Sequence, residues 1–200
     1  MQNRIKPLEP PDTIHLSAAE GWLGLGNPLE ANEELEKITP QLRNHPDVLE
    51  VRWQIYTAEN KWNACVDIAQ AITKLAPSRS TGWIYLSVAL HELKRTKEAR
   101  DNLMGVEQQF PDQYLIRYNL ACYESRLGNL KKAYQLLKKA IELAATKDIR
   151  AMALHDVAHS ASVGANSGIV RRLKPSVPSC CRLLPFFDIE IIATARHRWL

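Results

Sequence analysis

The sequence lacks the long apolar run that a membrane-spanning helix needs. No stretch of about 18 apolar residues occurs, which argues against a transmembrane helix. No apolar segment follows the first basic residues, so we expect no secretory signal. The four cysteines, Cys65, Cys122, Cys180 and Cys181, match no zinc-binding spacing. We therefore expect reduced thiols and a cytoplasmic location.

The sequence also lacks the motifs that carry catalysis. The segment Gly21–Gly26 has the wrong glycine spacing for a phosphate loop, and no Gly-x-Ser-x-Gly elbow occurs. His155 and His159 lie four residues apart, but a metal site needs three or four ligands, so we interpret them as surface histidines. Cys122 has no base nearby in the sequence. We predict no catalytic residue, metal or cofactor, and hence a protein that is not an enzyme.

Acidic residues are scarce only near the C-terminus. Residues 157–200 contain six basic and two acidic residues, whereas residues 1–156 contain 20 of each. The net charge of +4 therefore comes from the last fifth of the chain. A nucleic-acid-binding protein would concentrate positive charge on its folded part, so no nucleic-acid partner is expected.

What the sequence does contain is an internal repeat. It divides residues 12–147 into four windows of equal length, which are 12–45, 46–79, 80–113 and 114–147. Three columns agree across all four windows. They are a small residue (Ala31, Cys65, Ala99, Ala133), a residue four places later (Leu35, Ala69, Leu103, Leu137) and one three places later again (Ile38, Ile72, Val106, Ala140). The spacing of four and then three indicates one face of a helix.

Residues that tolerate a turn stand in the middle of three windows. Gly26, Asn60 and Gly128 occupy the same place, and Pro77 and Pro111 stand near the ends of two windows. Each window therefore predicts a helix, a tight turn and a second helix. One such hairpin cannot bury its apolar face alone, so the windows should stack.

These residues resemble the tetratricopeptide repeat, and the length of the windows matches the period of that repeat. The third window shows the pattern best, with Trp83, Leu86, Ala99, Leu103 and Pro111. The resemblance implies an all-α, right-handed α-solenoid of four helix hairpins. We expect an N-terminal arm at residues 1–11 and a capping helix at residues 148–160. Residues 161–200 lose the repeat, and we hypothesise that this irregular basic tail is not part of the evolved fold; the rival hypothesis is a basic anchor for a membrane or an RNA.

The resemblance also implies a concave groove, lined by the first helix of each hairpin, that holds a peptide. The residues expected to face it are Glu20, Gln54, Tyr85, His91, Tyr118, Asn119 and Cys122. Rings and amides suit this task because they give contact area and bond to a peptide backbone. The Lys–Asn–Arg clamp by which some such proteins hold a C-terminal carboxylate is missing, since only Asn119 fits it in part.

The leading functional hypothesis is a non-catalytic adaptor that binds a protein or peptide partner. Two alternatives stay open, namely a chaperone for secreted effector proteins and a regulatory subunit of an enzyme. The exposed ends of a short array, together with Trp62, also leave room for a homodimer.

Overall fold

The computed structural model describes residues 6–144, and every regular element in that range is helical. The all-α prediction is thereby confirmed. The helices, in chain order, are α1 (Asp12–Gly24), α2 (Pro28–Lys37), α3 (Pro46–Ala58), α4 (Trp62–Leu75), α5 (Ser80–Glu92), α6 (Thr96–Met104), α7 (Tyr114–Arg126) and α8 (Leu130–Leu143). Short 3-10 turns at Pro40–Leu42 and Glu107–Gln109 follow α2 and α6.

The helices alternate with the period of the repeat. Helices α1, α3, α5 and α7 begin at positions 12, 46, 80 and 114, so each starts at the first residue of its sequence window. The chain divides into two compact units at residue 94. Unit 1, described from residue 6, contains α1 to α5; unit 2, described to residue 144, contains α6 to α8.

The three repeat columns supply buried residues to both units. All twelve column residues are buried, and the small residue is fully buried in every hairpin. A small side chain lets two helices approach closely, and the larger residues one turn further on fill the space between them. In unit 1 these columns join residues of α1 and α3 in one cluster: Ala19, Ala31, Leu35, Ile38, Val48, Val51 and Ile55.

The turn inside each hairpin contains one residue in the left-handed backbone region. These residues are Gly26, Asn60, Lys94 and Gly128, with φ of 76°, 58°, 67° and 84°, and they occupy the same position in all four windows. Glycine and asparagine tolerate this region, whereas a lysine there is strained. Lys94 is held in place by a hydrogen bond from its N–H to the carbonyl of His91 (2.8 Å).

Two contacts in unit 1 fix how its helices meet. The buried carboxylate of Asp12, in the first turn of α1, accepts hydrogen bonds from the backbone N–H (2.7 Å) and the hydroxyl (3.1 Å) of Thr39. Gly82 of α5 packs against α4 so closely that a Cβ atom there would lie 2.9 Å from Cγ2 of Ile72. The hydrogen bonds of Asp12 thus connect the start of the first hairpin to its end at Thr39. Gly82 allows α4 and α5 to pack closely.

The predicted capping helix at residues 148–160 and the basic tail at residues 161–200 lie outside the described residues, as do His155 and His159. No helix in residues 6–144 is long and apolar enough to cross a bilayer.

Candidate functional site

Helix α3 lies at the centre of unit 1. It contacts α1 and α5, the first helices of the neighbouring hairpins, as well as α2 and α4. Pro46 begins the helix, and the ring of His45 accepts a hydrogen bond from the N–H of Asp47 at 3.2 Å. A proline at the first position and a capped N–H make this start well defined.

An aromatic stack joins α3 to α5. The rings of Trp53 and Tyr85 lie parallel, with centroids 3.9 Å apart and an angle of 6° between their planes. Trp53 is 4% exposed, while Tyr85 is only half-buried. The stack therefore fixes the orientation of Tyr85 and holds its ring at the surface of α5.

The hydroxyl of Tyr85 lies in a polar and acidic environment. Burial and the negative charge of Glu50 together raise the pKa of Tyr85 to about 12, although a hydrogen bond with Gln54 acts in the opposite direction. A phenol with this pKa stays neutral at physiological pH. Tyr85 therefore acts as a ring and a hydrogen-bonding hydroxyl, and not as an acid or a nucleophile.

An ion-pair network extends the contact between α3 and α5. Arg79, just before α5, donates to Asp47 and also to Oε1 of Glu50 (3.4 Å). The hydroxyl of Thr81 donates to the same Glu50 oxygen at 3.1 Å. The side chain of Glu50 is 22% exposed, so part of it is accessible to solvent.

We call the surface formed by these side chains the α3–α5 face; it comprises Asp47, Glu50, Gln54, Thr81 and Tyr85. The first three lie at i, i+3 and i+7 along α3 and the last two at i and i+4 along α5, which places each set on one side of its helix. Glu20 of α1 is exposed and occupies in the first window the position that Gln54 holds in the second.

The seven residues predicted to line a groove differ in their exposure. Glu20 and Gln54 are exposed, and Tyr85 is half-buried. The other four are buried: His91 in unit 1, and Tyr118, Asn119 and Cys122 in unit 2. Of the seven, the structure brings Gln54 and Tyr85 together. A ligand would reach the four buried residues only after neighbouring groups moved, and their role in binding stays a prediction.

Sequence reasoning missed Trp53, Glu50 and Thr81. Trp53 is buried and acts through Tyr85, so no groove pattern would select it. Glu50 and Thr81 precede Gln54 and Tyr85 by one helical turn. That spacing was a usable signal, since residues four apart share a helix face.

Unit 2 carries a different cluster, at the turn between α7 and α8. Glu124 is fully buried; Lys132 approaches its Oε1 at 2.6 Å, and the Asn129 amide donates to its Oε2 at 2.7 Å. Burial alone would raise the pKa of Glu124, but the ion pair with Lys132 and the hydrogen bond from Asn129 outweigh this effect, and the pKa is lowered. An open cleft of about 740 Å³ adjoins this pair and is also lined by Arg100 and Lys131.

Neither metal binding nor thiol reactivity is favoured by the described residues. Within residues 6–144, no group of three or more His, Cys, Asp or Glu side chains is placed to hold a metal ion. Burial raises the pKa of the Cys65 thiol, although a hydrogen bond with Thr57 acts against it. A buried thiol with a raised pKa is a poor nucleophile.

Solved structures of MamA are similar to this chain. One, described as "MamA MSR-1 C2", is 22% identical, with a TM-score of 0.55 over 70% of this chain and 78% of the other. Another, "Crystal structure of MamA", is 15% identical, with a TM-score of 0.59 over 71% and 81%. No protein-family model and no curated protein matches the chain. At such identities the likeness shows the fold alone, and it confirms the predicted helical array of the tetratricopeptide type.

Proposed function

We propose that this protein is a non-catalytic cytoplasmic scaffold that binds a peptide or a segment of a partner protein on the first helices of its hairpins. The observation that carries the proposal is the α3–α5 face. In this face, Trp53 stacks on the ring of Tyr85 and fixes its orientation, and the Gln54 amide forms a hydrogen bond with the Tyr85 hydroxyl. A rigid ring gives contact area with little loss of side-chain entropy, and Gln54 can exchange hydrogen bonds with a peptide backbone.

The proposal includes the remaining predicted groove residues as secondary contacts. Glu20 extends the face onto α1, where it is exposed. His91, Tyr118, Asn119 and Cys122 would contribute only if the bound partner rearranged their surroundings. We therefore expect substitutions of Glu20, Gln54 and Tyr85 to weaken binding more than substitutions of these four.

Site-specific photo-crosslinking on the full chain tests this assignment. A photoreactive phenylalanine analogue replaces Gln54 in one variant and Lys139 in another. Both positions are exposed, but Lys139 lies on α8 in unit 2. We expect a discrete adduct with a partner protein at position 54, which disappears when Tyr85→Ala is added, and none of that adduct at position 139.

The crosslinked product also identifies the kind of partner. An adduct with a second copy of this chain at position 54 would make the partner a homodimer subunit bound at the same face. The same adduct at both positions, unchanged by Tyr85→Ala, would rule out the α3–α5 face as the binding site.

A further inference from the structure

The first helices of unit 1 are strongly acidic. Helices α1, α3 and α5 contain five acidic residues, which are Asp12, Glu20, Asp47, Glu50 and Glu92. Their one Lys or Arg residue is Arg52, which bonds to Glu36 of α2 at 3.0 Å. Unit 1 as a whole has twelve acidic and eight basic residues between residues 6 and 94, a net charge of −4. A ligand of these helices therefore meets a negative potential.

The carboxylate of Glu50 is partly exposed and holds two hydrogen bonds from its own protein. Both of them, from Thr81 and from Arg79, fall on Oε1, and the side chain is 22% exposed. Arg79, the cation that borders the face, already binds Asp47 and Glu50 together. A carboxylate has about four acceptor sites, and Arg79 and Thr81 use two of those of Glu50.

The ring of Tyr85 lies next to this carboxylate. One side of the ring is covered by Trp53 at 3.9 Å, and the residue is still partly exposed. Thr81, one helical turn before Tyr85 on α5, donates to Glu50 at 3.1 Å, which places the carboxylate on the same side of α5 as the ring. A ring beside a carboxylate suits a guanidinium group, which can stack on the ring and donate to the carboxylate.

We propose that the α3–α5 face selects an arginine-bearing, basic segment of the partner, with one guanidinium seated on Tyr85 and hydrogen-bonded to the carboxylate of Glu50. The inference rests on the proposed function, because it names the chemistry of the segment bound at the same face. Arginine is preferred over lysine, since only arginine can stack a planar cation on the ring. Binding weakens as salt is added, because the attraction between exposed charges is screened.

A panel of labelled dodecapeptides tests the inference on the full chain by fluorescence anisotropy. The peptides alternate alanine with arginine, lysine, glutamine or glutamate. We expect the arginine peptide to bind about tenfold more tightly than the glutamine peptide, with lysine between them. Tighter binding of the glutamate peptide, or equal binding of all four, would overturn the inference.

Two charge variants locate the effect. Glu50→Gln removes the charge and keeps an acceptor for Thr81, and we expect it to weaken the arginine peptide about tenfold. Glu33→Gln makes the same change of net charge on α2, where Glu33 is exposed, and we expect less than a twofold change. Equal losses in the two variants would mean that only the overall charge matters, and would overturn the assignment to Glu50.

Tyr85→Leu separates the inference from the proposed function. We expect it to abolish the preference for arginine over lysine. If it instead weakens all four peptides alike, the α3–α5 face binds peptides without selecting a basic one, so the inference fails and the proposed function stands. If no substitution in the face changes the affinity of any peptide, both fail.

Discussion

Unit 1 and unit 2 are built from the same repeat and carry opposite charge. Residues 6–94 have a net charge of −4, whereas residues 95–144 contain nine basic and six acidic residues, a net charge of +3. The buried columns are of the same kind in both, with small residues such as Ala31 and Ala133 fully buried. The repeat therefore constrains which residues are buried and leaves the charge of each unit's surface free to differ.

At one buried position the two units differ in the kind of side chain. At the place held by Trp22, Tyr56 and Leu90 in the first three hairpins, the fourth hairpin has Glu124. Its carboxylate is fully buried and relies on Lys132 and Asn129. At this position unit 2 thus depends on an ion pair, whereas unit 1 depends on apolar packing. Substitutions that remove the ion pair test this difference.

The largest expected effect comes from removing the cation of that pair. Lys132→Ala leaves the Glu124 carboxylate buried without its partner, which should lower the free energy of unfolding of unit 2 by about 3 kcal/mol. Hydrogen exchange of the α7 and α8 amides in the full chain measures this loss. The neighbouring exposed Lys131→Ala is the matched control, and we expect a change within about 0.5 kcal/mol.

The same pair should make unit 2 sensitive to acid. Because the pKa of Glu124 is lowered in the folded protein, its stabilisation is present above the unfolded pKa and is lost as the pH falls through the folded pKa. Glu124→Gln should remove that part of the acid dependence. Protection of α7 and α8 that falls with pH equally in both proteins would contradict this account.

A smaller effect is expected at the closest helix contact of unit 1. Gly82→Ala forces a methyl group against Ile72 and Thr73, which should lower stability by about 2 kcal/mol. Gly21→Ala of α1 is the control, because nothing lies within 4 Å of its added Cβ. Since alanine favours a helix over glycine, the control should instead raise stability by about 0.5 to 1 kcal/mol. Urea unfolding followed by circular dichroism compares the two, and a loss in both would refute the steric explanation.

The smallest effect is expected at the turn of the third hairpin. Lys94→Gly relieves the left-handed strain of a residue with a side chain and should raise the unfolding free energy by about 1 kcal/mol. Gly128→Ala introduces the same strain into the fourth hairpin and should lower it by about as much. Thermal unfolding of the full chain would show opposite shifts for the two variants; shifts of the same sign would contradict the conformational argument.

The sequence was sufficient to predict the all-α fold because the buried columns have a helical spacing. The residues at 31, 65, 99 and 133 are small and become fully buried. The left-handed turn at Lys94 was not predicted, because lysine is not a typical residue for such a turn. Its window position, which is the same as that of Gly26 and Asn60, was nevertheless a usable signal. The opposite charges of the two units were hidden because they cancel when residues 1–156 are counted together.

The candidate site was predicted only in part, for a different reason. Gln54 and Tyr85 could be selected by their repeat positions, but the stack of Trp53 on Tyr85 joins two residues that are distant in the sequence and belong to different helices. Glu124 could not be foreseen as buried, since a charged residue on a helix usually indicates its solvent side. Both features arise from tertiary contacts that no local pattern encodes.

The regular placement of the left-handed turns has a consequence for how this chain can change in length. Deleting or duplicating a block that is one repeat window long leaves Gly26, Asn60, Lys94 and Gly128 in phase with the helices that remain. A block whose length is not a whole number of windows would bring a side chain unsuited to positive φ into a turn and move polar residues into the buried columns. The chain should therefore accept whole hairpins as units of gain and loss, and a circularly shifted or shortened version should fold only when it is cut in that register.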